Sequence, residues 1–313
     1  MKPSILFVDL AGYKKIPPLS FLKICASGLE VLSVSNTMSA LKVIKNRNDL
    51  MILLSNAPDL QLFAEFFRYH PNGKSCLLTD LPMARYSESL GSHEEKYVDH
   101  IIANRAPSPW TYNELRISLQ KMIRQDLFGI EKYLLPSTEI FIKPIADTVR
   151  TELTQGVIAF VQSKKVGTQL PNRAASITEE LVMNALYDAP PLSNGSVDPK
   201  VELPQNQRSQ LSYGFDGSVL AIGVRDPFGS LRKETIFKYL KKALPNTRPK
   251  DLIDSKKEGA GLGLYSILYN SHALVCNSDP ERATEVIALI DVNYKVRDYR
   301  KAAKSIHFFL TSV

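Results

Sequence analysis

The sequence has few cysteines and no long apolar run. Its 313 residues include only Cys25, Cys76 and Cys276, which are far apart and odd in number. They form neither a CxxC pair nor a zinc-binding spacing, so they argue against a disulfide framework and fit reduced thiols. No apolar run approaches the ~18 residues that span a bilayer, and the first residues lack the layout of a signal peptide. These absences predict a cytoplasmic protein without a membrane partner.

Positive charge is not concentrated in any one segment. The net charge of +7 is spread along the chain, so nucleic acid is not favoured as a partner. The composition, 44% apolar and 23% charged, is typical of globular protein, and the length suits two domains of roughly 150 residues each. We expect domains at residues 1–126 and 137–313, joined by a connector at residues 127–136.

The first 126 residues alternate short apolar runs with amphipathic stretches. Continuous apolar strands separated by helices predict a parallel sheet covered on both faces. The chain therefore predicts an α/β, flavodoxin-like (βα)5 domain that resembles the response-regulator receiver. The apolar runs are Ile5–Val8, Val31–Val34, Met51–Leu54, Cys76–Leu78 and Val98–Ala103.

The receiver resemblance implies a site at the carboxyl ends of these strands. The first strand ends in Asp9 alone, where the family has two acids for Mg²⁺. The third ends in Ser55 and Asn56, which cannot form an acyl phosphate, and the fifth runs into residues 104–107 where the family has Lys-Pro. Thr79, at the end of the fourth strand, does match the threonine that the family has at that place. The resemblance therefore implies a pseudo-receiver, a docking module that has lost phosphotransfer.

Two segments are predicted to pack although their partners are not indicated. The connector, residues 127–136, is too apolar for a free linker, so it either braces the two domains or joins a dimer contact, which leaves a homodimer open. Residues 305–310 have the pattern of a strand that could add to the edge of a sheet.

A helical stretch that begins near Ala174 carries three polar side chains on one face. Glu180, Asn184 and Asp188 follow at i, i+4 and i+8, so they project from the same side of the predicted helix. By itself such a stripe is more often a solvated face, because short motifs recur by accident.

Two motifs that contain glycine follow this helix. A hairpin pattern over residues 211–224 delivers Asp226 and Gly229 to the end of a strand, where a buried carboxylate can accept a hydrogen bond from an amine. Alone, Asp-Pro-x-Gly is an ordinary turn.

The second motif is a set of alternating glycines at the start of a predicted helix. Such glycines expose backbone N–H groups that suit phosphate oxygens. The alternative, a dinucleotide-binding turn, would need a strand directly before it. These glycines are Gly259, Gly261 and Gly263.

In this order the three elements resemble the N, G1 and G2 boxes of the GHKL ATPase superfamily, over residues 137–293. The resemblance implies an α/β-sandwich, histidine-kinase-like ATPase domain that binds ATP and Mg²⁺. Glu180 resembles the general base, Asn184 the Mg²⁺ ligand and Asp226 the carboxylate that binds the adenine amine. Further nucleotide contacts are implied for Asp188, Gly229, Lys257, Gly259, Gly261, Leu262, Gly263, Leu264 and Thr284.

Several departures narrow the choice within the superfamily. Phe228 and Ser230 replace both glycines of the usual Asp-x-Gly-x-Gly, so the lid beyond them is expected to fit nucleotide less tightly. No histidine lies between residues 126 and 180, which argues against a conventional autophosphorylating histidine kinase. We also expect too few residues after the motifs for the transducer domain of gyrase-like relatives. The compact layout resembles the anti-sigma-factor serine kinases.

The sequence thus predicts a cytoplasmic signal-transduction protein of the two-component type that binds Mg·ATP and a protein partner. One hypothesis is a protein serine kinase or an ATPase, in which Glu180 takes the proton of an incoming hydroxyl. The alternative is an inert pseudokinase or scaffold, which the altered G1 box and the degenerate receiver favour.

Overall fold

The computed structural model describes residues 2–11, 19–26, 28–82, 97–105, 108–146, 149–190, 208–236, 262–294 and 302–311. The chain forms two compact units: Met1–Asp126 with Lys301–His307, and Leu127–Arg300 with Phe308–Val313. Both are mixed α/β, as predicted. None of the described helices is long and apolar enough to cross a membrane. The three cysteines are buried and free.

The first unit is built on a parallel sheet with the order β2-β1-β3-β4-β5. This is the strand order of flavodoxin-like sheets. The strands are β1 (Ser4–Val8), β2 (Glu30–Val34), β3 (Leu50–Ser55), β4 (Lys74–Thr79) and β5 (His100–Ala103). The helices are α1 (Leu19–Cys25), α2 (Thr37–Asn46), α3 (Leu60–Tyr69) and α4 (Trp110–Arg124).

The predicted C-terminal strand is confirmed as β11 (Ser305–Leu310), and its first residues lie on the edge of the first unit. Ile306 and His307 pair in antiparallel fashion with β5, and the Ser305 hydroxyl accepts a hydrogen bond from the Ala103 N–H at 2.9 Å. Residues 301–307 therefore group with the first unit, whereas the sequence placed them in the second domain.

The second unit contains an antiparallel sheet with the order β9-β10-β8-β7-β6. Its strands are β6 (Ile140–Pro144), β7 (Gln210–Phe215), β8 (Val219–Asp226), β9 (Ala273–Asp279) and β10 (Ala283–Asp291). Its helices are α5 (Arg150–Ser163), α6 (Leu170–Met183) and α7 (Leu262–Asn270). A hairpin joins β7 to β8, as the alternation of the sequence predicts.

The apolar connector packs on the sheet of the second unit. Its 3₁₀ turn, Ile130–Tyr133, lies against β7 and β8, and a Cβ on Gly223 would stand only 2.8 Å from the Ile130 side chain. The Glu285 carboxylate of β10 accepts the Gly129 N–H at 2.9 and 3.1 Å. Residues 127–136 therefore group with the second unit, with Leu127, Ile130, Tyr133 and Leu134 buried.

Candidate functional site

A cavity of about 290 Å³ opens between α6, β8, β10 and α7 of the second unit. Apolar walls come from residues such as Leu181 and Val286, and a few polar groups converge on the space. Apolar walls with few polar groups are the usual make-up of small-molecule pockets, and the volume is near their lower limit of about 300 Å³. Five residues that the sequence singled out line it: Asn184, Asp188, Asp226, Leu264 and Thr284.

Asp226 is the last residue of β8 and is almost fully buried, with 7% of its surface exposed. One carboxylate oxygen accepts the Phe228 N–H at 2.9 Å. Burial raises the pKa of Asp226 to about 6, although the Phe228 and Gly229 amides and Thr284 act in the opposite direction. A buried carboxylate in this position is suited to accept a hydrogen bond from a ligand amine.

Thr284 stands directly across from Asp226 in the β8–β10 pairing. Its hydroxyl lies buried at the cavity wall, and its interaction with the Asp226 carboxylate is one of the effects that lower the pKa of Asp226. The pair Asp226 and Thr284 therefore fits the polar edge of a heterocyclic base.

The polar stripe of α6 does not continue as a regular α-helix. Residues Asn184–Asp188 form a π turn in which the Ala189 N–H donates to the Asn184 carbonyl at 2.9 Å. The wider turn rotates Asp188 relative to its position in a regular helix, and Asn184 and Asp188 both still line the cavity. Single π turns inside helices are frequent at functional sites.

The pKa values of Glu180 and Asp188, on this helix and its π turn, are both raised. Burial, together with the charges of Glu179 and Asp188, raises the pKa of Glu180, and burial raises the pKa of Asp188. A carboxylate with a raised pKa is a better proton acceptor, which is what a general base requires. The described residues hold no group of three or more acidic, histidine or cysteine side chains that could ligate a metal by themselves.

Gly263 brings the start of α7 against this helix. A Cβ at this position would stand 2.7 Å from a Glu180 carboxylate oxygen and 3.2 Å from the Asn184 side-chain oxygen. The backbone at Gly263 therefore approaches the two side chains that the sequence assigned to proton transfer and to Mg²⁺. Lys257, Gly259 and Gly261 lie outside the described residues. Leu262 begins α7.

Gly263→Ala is expected to displace the ends of Glu180 and Asn184 while leaving the helix intact, because alanine has the higher helix propensity. If the proposed nucleotide complex forms, we expect its Mg²⁺-dependent affinity to fall roughly tenfold, as for other displaced metal ligands. Titration calorimetry with and without Mg²⁺ measures this. Unchanged Mg²⁺ dependence would contradict the predicted role of Asn184 as a Mg²⁺ ligand.

Gly229, which the sequence assigned to nucleotide binding, does not line the cavity. It has φ +64°, and a Cβ on it would overlap the Asp279 carbonyl and stand 2.5 Å from the Glu281 N atom. Close packing on the β9–β10 turn therefore requires glycine here. The sequence missed three cavity residues just beyond it, Ser230, Leu231 and Thr235. Their position directly after the Asp-Pro-x-Gly turn was the only signal for them.

Gly229→Ala is expected to destabilise the second unit by roughly 2–4 kcal/mol, from backbone strain and from overlap with the β9–β10 turn. Gly217→Ala is the matched control, because Gly217 also has a positive φ, +95°, but has no atom within 4 Å of its would-be Cβ. That control is expected to lose only about 1 kcal/mol. Thermal unfolding compares the two variants, and equal losses would show that packing does not matter at Gly229.

The strand-end site that the receiver resemblance implied in the first unit is filled by hydrogen bonds among its own side chains. The Asn56 amide donates to a carboxylate oxygen of Asp9 at 2.7 Å, and its oxygen accepts the Leu10 N–H at 2.8 Å. The Ser55 hydroxyl donates to the Ala57 carbonyl at 3.0 Å. The Asn56 amide thus contacts the carboxylate that would otherwise face a cation. Arg105, near the position of the family's lysine, is wholly buried in an ion pair with Glu114.

No protein-family model matches this chain, and no curated protein matches it. One similar solved structure is the signal receiver domain of an HD domain-containing protein from Pseudomonas fluorescens Pf-5, with 21% identity over 40% of this chain and 97% of that chain and a TM-score of 0.31. Another is the SiaB–SiaC complex from Pseudomonas aeruginosa, with 15% identity over 49% of this chain and 88% of that chain and a TM-score of 0.33. At these TM-scores neither similarity carries an argument about function.

Proposed function

We propose that the second unit is a GHKL-type nucleotide site that binds Mg·ATP. The observation that carries the proposal is the convergence of the buried Asp226 carboxylate and the Thr284 hydroxyl on one largely apolar cavity. The chain supplies these two groups from neighbouring strands, so they are held in register by the sheet itself. In the proposed complex Asp226 accepts a hydrogen bond from the adenine amine.

The other wall of the cavity would hold the phosphate side of the ligand. Asn184 lines the cavity, and the Asn184 amide oxygen and the Glu180 carboxylate both lie close to Gly263. Bound Mg²⁺ would neutralise phosphate charge, with Asn184 as one ligand. The raised pKa of Glu180 suits it to take a proton from a hydroxyl, as a protein serine kinase requires.

The first unit acts in this proposal as a docking module for a protein partner in a signalling pathway. Asp9 accepts a hydrogen bond from Asn56, and Leu10 stands where the receiver family has its second acid, so phosphotransfer through this unit is not expected. The second candidate function, an inert ATP-binding or scaffold protein, is favoured by Phe228 and Ser230 in the G1 box. Ser230 donates to the Ala189 carbonyl at 3.1 Å, which gives that residue a structural role.

Titration calorimetry of the whole chain with a slowly hydrolysed ATP analogue and Mg²⁺ tests the proposal. We expect binding that Asp226→Asn abolishes and that Glu180→Gln leaves intact. Glu180→Gln should remove turnover of ATP, whereas the matched Glu179→Gln, on the exposed neighbour, should not. Binding without turnover in the wild-type chain would favour the inert candidate. The absence of binding at millimolar analogue would overturn the nucleotide site.

A further inference from the structure

Strand β6 is an edge strand of the second unit. It pairs with β7 on one side, and no described strand lies on its other side. Phe141 anchors it from the helix side, with its ring 5.3 Å from the rings of Phe160 and Tyr213. Open edges are places where another chain can add a strand.

The direction of the backbone groups of β6 follows from its pairing. The Ile145 N–H donates to the Ser209 carbonyl at 2.8 Å, so Ile145 and Ser209 form a hydrogen-bonded pair of the antiparallel ladder. Such pairs alternate along the strand. The N–H and C=O groups of Ile140 and Ile142 must therefore point away from β7 toward the open side. The backbone of Pro144 also faces the open side, but proline has no N–H. Ile142 is therefore the last residue of β6 that offers an N–H to the open side.

The charged side chains along this edge can pair with those of a second, antiparallel copy of the same strand. Glu139 and Lys143 are both exposed and stand symmetrically about Phe141. An antiparallel second copy centred on Phe141 would place Glu139 opposite Lys143 of the second copy, and Ile140 opposite Ile142 of the second copy. A parallel copy in register would instead place equal charges opposite each other, which is unfavourable.

We propose that two copies of this chain associate through β6, antiparallel, with the two-fold axis at Phe141. Each of the two Ile140–Ile142 pairs exchanges two backbone hydrogen bonds. The Ile142 side chain, 61% exposed in the single chain, is covered by Ile140 of the second copy. The two Glu139–Lys143 contacts flank the axis and select this register. The interface joins two second units edge to edge and does not depend on nucleotide binding.

Sedimentation analysis of the whole chain over a wide range of protein concentration tests the interface. We expect a reversible dimer for the wild type and a monomer for Ile142→Pro, because proline removes an outward N–H without taking a bond from the β6–β7 ladder. Ile142→Thr, which keeps the N–H and favours strands, is the matched control and should still dimerise. A wild-type chain that stays monomeric at all concentrations would overturn the proposal.

Charge reversal tests the register itself. Glu139→Lys and Lys143→Glu each place like charges opposite each other in the homodimer, so each variant should raise the dimer Kd about tenfold. An equimolar mixture of the two variants restores opposite charges at both contacts, so it should dimerise as tightly as the wild type. If both variants dimerise like the wild type, or if the mixture is no tighter than either variant, the β6 interface is wrong.

Discussion

Asp226→Asn is expected to stabilise the ligand-free protein above about pH 6 by about 2–3 kcal/mol. Burial raises the pKa of Asp226 from 3.8 to about 6, so the folded state favours the protonated carboxyl. That contribution to stability is complete below pH 3.8 and is lost as the pH rises to about 6. Above that pH the buried, ionised carboxylate destabilises the folded state. The neutral amide of asparagine removes this penalty, and its oxygen still accepts the Phe228 N–H.

The same substitution is expected to remove nucleotide binding if the proposed site is correct. The amide oxygen of the new side chain is engaged by Phe228, which leaves its NH₂ group to face the adenine amine, so two donors meet. In the wild type, affinity for the ATP analogue should fall as the pH drops below about 6, because the protonated carboxyl is a poorer acceptor.

Calorimetric unfolding of the ligand-free chain at about pH 5 and about pH 8 measures the stability effect, which should be larger at the higher pH. Asp216→Asn, in the turn between β7 and β8, is the control and should not stabilise the protein, because the Asp216 carboxylate already accepts the Ser218 and Val219 N–H groups. A variant at Asp226 that is less stable than the wild type at about pH 8 would contradict the burial argument.

Glu114→Ala is expected to destabilise the first unit by roughly 3–5 kcal/mol. The Glu114 carboxylate is wholly buried, forms an ion pair with Arg105 and lies 3.0 Å from the His307 ring nitrogen. Burial alone would raise the pKa of Glu114, but Arg105 and His307 outweigh it and hold the pKa below its ordinary value. Removal of the carboxylate leaves the buried Arg105 charge without this partner.

Because the pKa of Glu114 is lowered by folding, its contribution to stability is present above about pH 4.5 and is lost as the pH falls through the folded pKa. Hydrogen exchange of β5 and of the first residues of β11 locates the effect, since Arg105 and His307 adjoin these strands. Glu65→Ala removes surface ion pairs with Lys45 and Arg68 and should cost less than about 1 kcal/mol. Equal exchange in the two variants would show that the buried group does not hold these strands together.

Most strands of the first unit could be predicted because they contain short apolar runs, which are typical of parallel strands buried on both faces, although β2 at the edge is only partly buried. The contact between the ends of β1 and β3 could not. Asp9 and Asn56 are 47 residues apart, and whether their side chains meet depends on the adjacency of β1 and β3. The sequence correctly indicated which groups stand at the strand ends, and only packing shows that they bind each other.

In the second unit the periodic pattern predicted a helix carrying Glu180 and Asn184, and the hairpin that presents Asp226. Local pattern could not distinguish a π turn from a regular turn at Asp188, because both tolerate the same residues. Local pattern also could not distinguish the roles of two glycines. Gly229 packs against backbone atoms of the β9–β10 turn, whereas Gly263 lies against the Glu180 and Asn184 side chains, and in both places there is no room for a Cβ.

Composition, periodicity and turn residues thus determine the elements of this protein and the types of polar group at their ends, because these depend on neighbours within a few residues. Pairings between distant segments are decided by tertiary structure alone. The β5 edge that receives residues 301–307, the sheet face that buries the connector and the cavity shared by Asp226 and Thr284 all belong to this second class. Each depends on which surfaces remain open after the sheets have formed, and no local pattern carries that information.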